Sequence, residues 1–136
     1  MFYKKFNSLN DDIVKIRTEV FIKEQGFKNE FDDTDNKCTH IVLYDGKTPC
    51  AVCRYFKTGG SYHIGRVAVD KAYRGKNLGI EIMQIAEEEI KKEGGTLIEL
   101  SAQVRVKDFY AKAGYNACGK VYLDEHCPHI KMQKKI

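Results

Sequence analysis

Apolar positions along this chain alternate between two periods, and each change of period marks a new element. Phe2 to Phe6 reads as a short first strand. Ile13, Ile16, Val20 and Phe21 then recur at helical spacing, with Asn10 as cap and Asp11 and Asp12 in the first turn, where carboxylates meet the positive end of the helix dipole. This helix is expected to end near Gly26. Phe27 to Lys37 is acidic and irregular, after which CTHIVLYD, TPCAVCRYF and SYHIGRVAV alternate as three strands. Asp45-Gly46 and Gly59-Gly60 join them, both pairs tolerating positive φ. From Asn77 to Glu93 the period is helical again, with Leu78, Ile82, Ile85, Ala86 and Ile90 on one stripe and Gly94-Gly95 as the stop. TLIELS follows as a buried strand, VKDFYAKAGY as a short helix breaking at Gly114, and Tyr115 to Met132 as two closing strands. The order predicts an α/β (α+β) sandwich on a mixed sheet, because the strand, helix, strand unit at 63–101 requires parallel pairing and a right-handed crossover.

Composition narrows the class without locating a function. With 136 residues, 43% of them hydrophobic and 31% charged, the chain is expected to be a single domain over 1–136. Lys and Arg exceed Asp and Glu by four, a surplus that suits an anionic ligand and falls short of a nucleic-acid-binding surface. No apolar run approaches the ~18 residues of a membrane span, and the amino terminus has no apolar signal core, so no membrane partner and a cytoplasmic location are expected. Cys38, Cys50, Cys53, Cys118 and Cys127 are odd in number and irregularly spaced, which argues against a disulfide framework. Cys50 and Cys53 form a CxxC inside a strand, and three residues apart on a strand they are expected to face opposite sides.

Chemistry concentrates in HIGRVAVDKAYRGKNLGIEIM, residues 63–83, where a strand passes through a basic, glycine-containing turn into a helix. Helix-start amides are unpaired and sit at the positive end of the dipole, so 75–79 can cradle an anion to which Arg74 and Lys76 add charge. It is not a P-loop, since no Ser or Thr follows the lysine to hold a metal, and Gly75 and Gly79 do not make the dinucleotide-binding glycine pattern.

These residues resemble the GNAT superfamily of acyl-CoA-dependent N-acetyltransferases. Its Arg/Gln-x-x-Gly-x-Gly/Ala signature matches Arg74-Gly75-Lys76-Asn77-Leu78-Gly79, except that Asn77 replaces the first motif glycine. Asn is the least costly such replacement, being the non-glycine residue most tolerant of left-handed geometry. RTEVFIKEQGF (17–27), EFDDTDNKCTH (30–40), LSAQ (100–103) and HCPHIKM (126–132) narrow the resemblance to the ElaA-like branch. It implies a three-layer sandwich with a mixed, mostly antiparallel twisted sheet, a splayed central strand pair and flanking helices.

The resemblance also implies roles. Acetyl-CoA would lie in the splay, with its pantetheine on the backbone of Val67, Ala68 and Val69 and its pyrophosphate on the amides of Arg74, Gly75, Lys76, Asn77, Leu78 and Gly79. A strand N–H would polarise the thioester carbonyl. Tyr110 matches the family's general acid, which protonates the departing thiolate; a phenol of ordinary pKa about 10 is protonated at neutral pH. The alternative reading of Tyr110 is an aromatic that only packs the short helix on the sheet, and Phe109 and Tyr115 read as core. The proton of the attacking amine needs an acceptor: Glu24 is the first candidate, with His40 and His129 as alternatives because imidazoles titrate near neutrality. Each of these could instead be structural, and a water chain would also serve. Arg17 could orient an acidic acceptor or pair with Glu24, about two helical turns on.

No metal is expected. Glu30, Asp32, Asp33 and Asp35 lack the glycine and terminal glutamate of a calcium loop, so a solvated or acceptor-facing loop is preferred, and His126-Cys127-Pro128-His129 offers too few ligands. The leading function is direct transfer of an acetyl group to a primary amine on a small molecule or peptide, within a ternary complex. The alternative is an inactive acyl-CoA-binding sensor or interaction module, which Asn77 would favour. Nucleic acid is not an expected partner, and the chain is read as a monomer or homodimer.

Overall fold

A computed structural model describes residues 1–136, and its backbone follows the alternating apolar pattern closely. Seven strands, β1 (Phe2–Phe6), β2 (Thr39–Asp45), β3 (Thr48–Thr58), β4 (Ser61–Val69), β5 (Leu97–Gln103), β6 (Asn116–Asp124) and β7 (Cys127–Lys135), form one sheet in the order β1-β2-β3-β4-β5-β7-β6. Every neighbouring pair is antiparallel except β4–β5, the parallel pair demanded by the crossover. The helices are α1 (Asp11–Arg17), α2 (Leu78–Lys92) and α3 (Lys107–Lys112).

Two apolar cores lie on opposite faces of the sheet, which makes the three layers. On one face Ile13 and Ile16 of α1, with Val20 and Phe21, pack on Val42, Tyr44, Val52 and Ala68. On the other, Leu78, Ile82, Met83, Ala86 and Ile90 of α2 pack on Ile41, Leu43, Ile64 and Ile98, with Phe109 and Tyr110 of α3 against the same cluster. Each fully buried Leu or Ile contributes about 1.5–3 kcal/mol, so the helical stripes read from the sequence stabilise the fold by packing on the buried faces of the sheet.

The α1 helix begins as its sequence dictates: the Asn10 side chain accepts from the Ile13 amide at 2.9 Å. It continues as a π-helical turn over Thr18–Glu24 and stops at Gly26, in left-handed geometry at φ 74°. The Phe27 amide reaches back to the Phe21 carbonyl at 2.9 Å. π-helical turns are uncommon and concentrate at functional sites, and this one delivers Glu24, Gln25 and Phe27 to the cleft described below.

Two strand irregularities depart from simple alternation. Leu43 pairs with Ala51 but Tyr44 with Pro49, so Cys50 is the extra residue of a bulge. Cys50 and Cys53 consequently pack into the same core cluster rather than on opposite faces, both as free, buried thiols. The β2–β3 loop is Gly46-Lys47, one residue later than Asp45-Gly46, because Asp45 still pairs with Thr48. The second bulge is on β4, where Arg66 and Val67 together oppose Cys53, and Arg66 takes φ 53° to make it.

Candidate active site

The splay of β4 from β5 opens a cavity. Their parallel ladder comprises only Tyr62 with Ile98 and His63 with Glu99; past that point the strands separate. A cleft of about 940 Å3 opens there, lined on one side by Ile64 to Val69 and on the other by Ser101, Gln103 and Tyr110. Val67 and Val69 also pack against the α2 core and Ala68 is buried against α1, so these residues hold the sheet while their backbone edges the cleft.

At the end of β4 the chain enters the basic turn, and its amides have no protein partner from Gly75 through Ile80, since the first helical bond runs from the Glu81 amide to the Asn77 carbonyl at 3.1 Å. Six consecutive donors at the positive end of the 15-residue α2 form a seat for an anion. Left-handed backbone makes the curve: Gly75 has φ 81° and Asn77, the α2 cap, has φ 60° and ψ 23°. Asn77 therefore occupies the geometry for which the usual glycine is suited. Gly79 matters for another reason, since a Cβ there would lie 3.1 Å from the Phe109 ring, which would have to shift where α3 meets α2. Lys76 does not line the cleft; its ammonium sits over the Tyr73 ring, 5.1 Å from the centroid.

Tyr110 lies half-buried in the cleft wall, edge-on to Phe109 at 5.0 Å and to Tyr115 at 6.2 Å. Burial, with the nearby Cys53 sulfur, pushes its phenol up to about 12, so it carries its proton at every ordinary pH. Tyr115 is core, its hydroxyl donating to Glu87 at 2.8 Å.

The three candidate bases have different fates. Glu24 lines the cleft but is gripped by Arg74, whose two terminal nitrogens donate to its carboxylate at 2.8 and 2.7 Å. That hydrogen bonding holds its carboxyl below the usual range, which weakens it as a base. His40 is 1% exposed, outside the cleft, and bonds through Nε2 to the Asp35 carbonyl at 3.0 Å. Its imidazole is pushed down by burial and faces no acceptor space. His129 does line the cleft. Its Nδ1 donates to the Cys127 carbonyl at 2.9 Å, which fixes the tautomer and leaves Nε2 as the acceptor in the neutral ring. Tyr122 stacks on the ring at 6.0 Å, and the Tyr122 hydroxyl bonds to Ser101 of the cleft wall.

The acidic stretch is only partly solvated: Asp32 and Asp33 are exposed, Glu30 and Asp35 are buried, Glu30 and Asp32 line the cleft, and three of the four carboxylates anchor an ionic network. Arg17, 1% exposed, donates to Glu30 at 2.8 Å and to Asp35 at 2.7 Å rather than to Glu24. The wider π turn takes Glu24 off the face that Arg17 occupies. Arg54 of β3 donates to Asp32 at 2.7 Å and Asp35 at 2.8 Å. Arg66 on the β4 bulge donates to the Glu30 carbonyl at 3.0 Å and lies 3.0 Å from its carboxylate. Burial alone would raise Asp35, but bonds from Arg17, the Asp32 amide and Arg54 hold it down at about 2. Glu30 is pushed up by burial against the pull of Arg66 and Arg17. Asp35, Cys38 and His40 lie close enough to suggest metal ligands. Two guanidiniums on Asp35 and a Cys38 thiol pushed up to about 11 by burial make a poor cation site.

Arg54 and Arg66 complete the network from strand positions outside the family motifs. Arg54 had one legible signal, a charge at an inward position of an otherwise apolar strand; the partners of Arg66 come from 34 and 36 residues away. The network lashes the loop after α1 to the bulge of β4, so it shapes the cleft wall opposite Tyr110.

Comparison with known proteins agrees with this architecture. The uncharacterized N-acetyltransferase YjcF of Bacillus subtilis (strain 168) is 35% identical over 126 residues, which is 90% of either chain. The crystal structure of Escherichia coli ElaA superposes with a TM-score of 0.87 at 26% identity, over 98% of this chain and 99% of that one. An acyl-CoA N-acyltransferase from Pseudomonas aeruginosa gives 0.87 at 27% identity, over 98% of both chains. The family model of the acetyltransferase (GNAT) domain matches residues 9–136, and the chain, with its splayed sheet and amide-lined turn, belongs to that family of acyltransferases.

Proposed function

We propose that the protein transfers the acetyl group of acetyl-CoA directly to a primary amine, with both substrates held in the one cleft. The observation that carries this reading is the unpaired run of amides at 75–80 beside a cleft that Gly75, Asn77, Leu78 and Gly79 line together with Tyr110 and His129. Acetyl-CoA supplies an activated thioester and a diphosphate, the first matching the cleft's chemistry and the second its anion seat.

The chain's own groups divide the work. Amides 75–80 bind the diphosphate, and the backbone of 67–69 holds the pantetheine by strand-like hydrogen bonding. A β4 amide faces the thioester carbonyl, where negative charge grows. Tyr110 donates its proton to the sulfur that leaves; a phenol held near 12 is a weak acid but a permanent donor. Nε2 of His129 is the better acceptor for the amine proton, directly or through water, because Glu24 is tied to Arg74. With Asn77 in unstrained left-handed form, its presence gives no reason to prefer a binding module without activity.

The test is calorimetric titration with acetyl-CoA, followed by a thiol assay for CoA release against a panel of primary amines. Saturable binding and amine-dependent release are expected. Failure to bind would end this reading, and binding without release from any amine would turn it towards the sensor.

A further inference from the structure

Among the ion pairs that line the cleft, Arg74 with Glu24 adjoins the anion seat and is left idle by the reaction as proposed. Glu24 ends the π-helical turn on the α1 side of the sheet, and Arg74 belongs to the turn that opens α2 on the other side. They meet edge to edge inside the cleft, Nη1 on Oε2 at 2.8 Å and Nη2 on Oε1 at 2.7 Å, while the remaining Nε donates to the Val69 carbonyl at 3.2 Å. The fork of Arg74 is thus committed to the protein although it adjoins the six free amides of the anion seat. Lys71 and Arg105 add positive field at Glu24, but neither pairs with it.

A guanidinium cannot present the same two-nitrogen edge to a carboxylate and a phosphate together. An anion seated on the helix start would also bring negative charge towards that of Glu24. The pair is cheap to open, because both side chains are partly solvated, Arg74 41% and Glu24 36% exposed. We infer that seating a diphosphate on residues 75–80 moves the Arg74 fork from Glu24 to the phosphate, and that the bared Glu24 carboxylate then forms the subsite for a cationic amine. The inference rests on the acyl-CoA reading of the cleft. It makes Glu24 a positioning and specificity residue rather than the base. It also sets an order, since Glu24 is masked until the diphosphate arrives, and linkage requires that a bound amine tighten CoA by the same factor.

Opposing signs in two variants test it without any turnover. Calorimetry would compare CoA with S-acetylpantetheine, which has no diphosphate, on wild type, Glu24→Gln and Arg74→Gln. Glu24→Gln is expected to bind CoA about two- to fivefold more tightly, the worth of an exposed pair no longer opposing it, and Arg74→Gln more weakly. The double variant should behave as Arg74→Gln, and S-acetylpantetheine should not distinguish any of them. Unchanged or weaker CoA binding by Glu24→Gln overturns the exchange, whereas a wild type that binds no CoA overturns the acyl-CoA reading instead. The amine subsite is read by titrating n-butylammonium chloride with and without saturating CoA. Wild type should gain affinity when CoA is present and Glu24→Gln should not; equal affinity in both states removes the subsite. Melting temperatures confirm that the exposed substitutions leave the fold intact.

Discussion

At the scale of single residues, Asn77 and Tyr110 carry the most testable chemistry. Asn77 holds φ 60° without a side-chain capping bond, so its value lies in tolerating that backbone. Asn77→Gly should leave stability and CoA affinity within about twofold. Asn77→Val, forced into left-handed geometry with a branched side chain, should lose about 1–2 kcal/mol in urea unfolding and weaken CoA, because the amides on either side would swing out of line. Tyr110 packs the short helix and is proposed as the proton donor, two roles that substitution can separate. Tyr110→Phe keeps the ring against Phe109 and Tyr115 and removes only the proton donor, so stability and CoA affinity should hold while kcat falls by about a hundredfold or more. An unchanged kcat would leave Tyr110 a packing residue. The family resemblance in the sequence made both positions visible. It did not show that Glu24 is paired to Arg74 from 50 residues away, because a charge on a helix end looks the same in sequence whether it meets solvent or a partner.

Between the elements, the ionic network joins what apolar packing leaves loose. The segment after the π turn has few buried apolar side chains of its own, Phe27 being one, and is held by Arg17, Arg54 and Arg66 converging on Glu30, Asp32 and Asp35. Removing one member strands the others in a low-dielectric site. Asp35→Asn is therefore expected to cost about 3–5 kcal/mol in denaturant unfolding, far more than loss of the exposed Lys23–Glu19 pair, worth at most ~1 kcal/mol. The same carboxyl gives an acid limb. With its folded pKa at about 2, below the ordinary value, Asp35 adds stability that is complete above about pH 4 and fades as pH falls towards 2, by about 2 kcal/mol in all. Glu30 works in the opposite sense: its raised pKa means that its share of stability diminishes as pH rises through the ordinary carboxylate range. Thermal melts across pH 2–6 should show the acid limb in wild type and a reduced one in Asp35→Asn. A limb of equal depth in both would assign it to other carboxylates.

For the whole molecule, one sheet with a local fault between β4 and β5 provides a cleft without any domain hinge. A ligand that spans the fault should stabilise the fold by mass action. CoA at a hundred times its Kd is expected to contribute about 2.7 kcal/mol and raise Tm by a few degrees, and no shift at any concentration would count against the cleft as its site. Much of this architecture follows from local sequence. Periods of two and 3.6 name the strands and helices, Asn10 and Gly26 bound the first helix, and the 63–101 unit forces the one parallel pairing on which the splay depends. Those features depend on neighbours a few residues apart. The bulges at Cys50 and Arg66, the convergence of three guanidiniums on one acidic loop, the removal of His40 from the cleft and the grip of Arg74 on Glu24 were decided only by the tertiary structure. Each depends on the free energy of groups brought together from distant segments, where burial raises the cost of an unpaired charge and so selects its partner, a term to which local periodicity is blind.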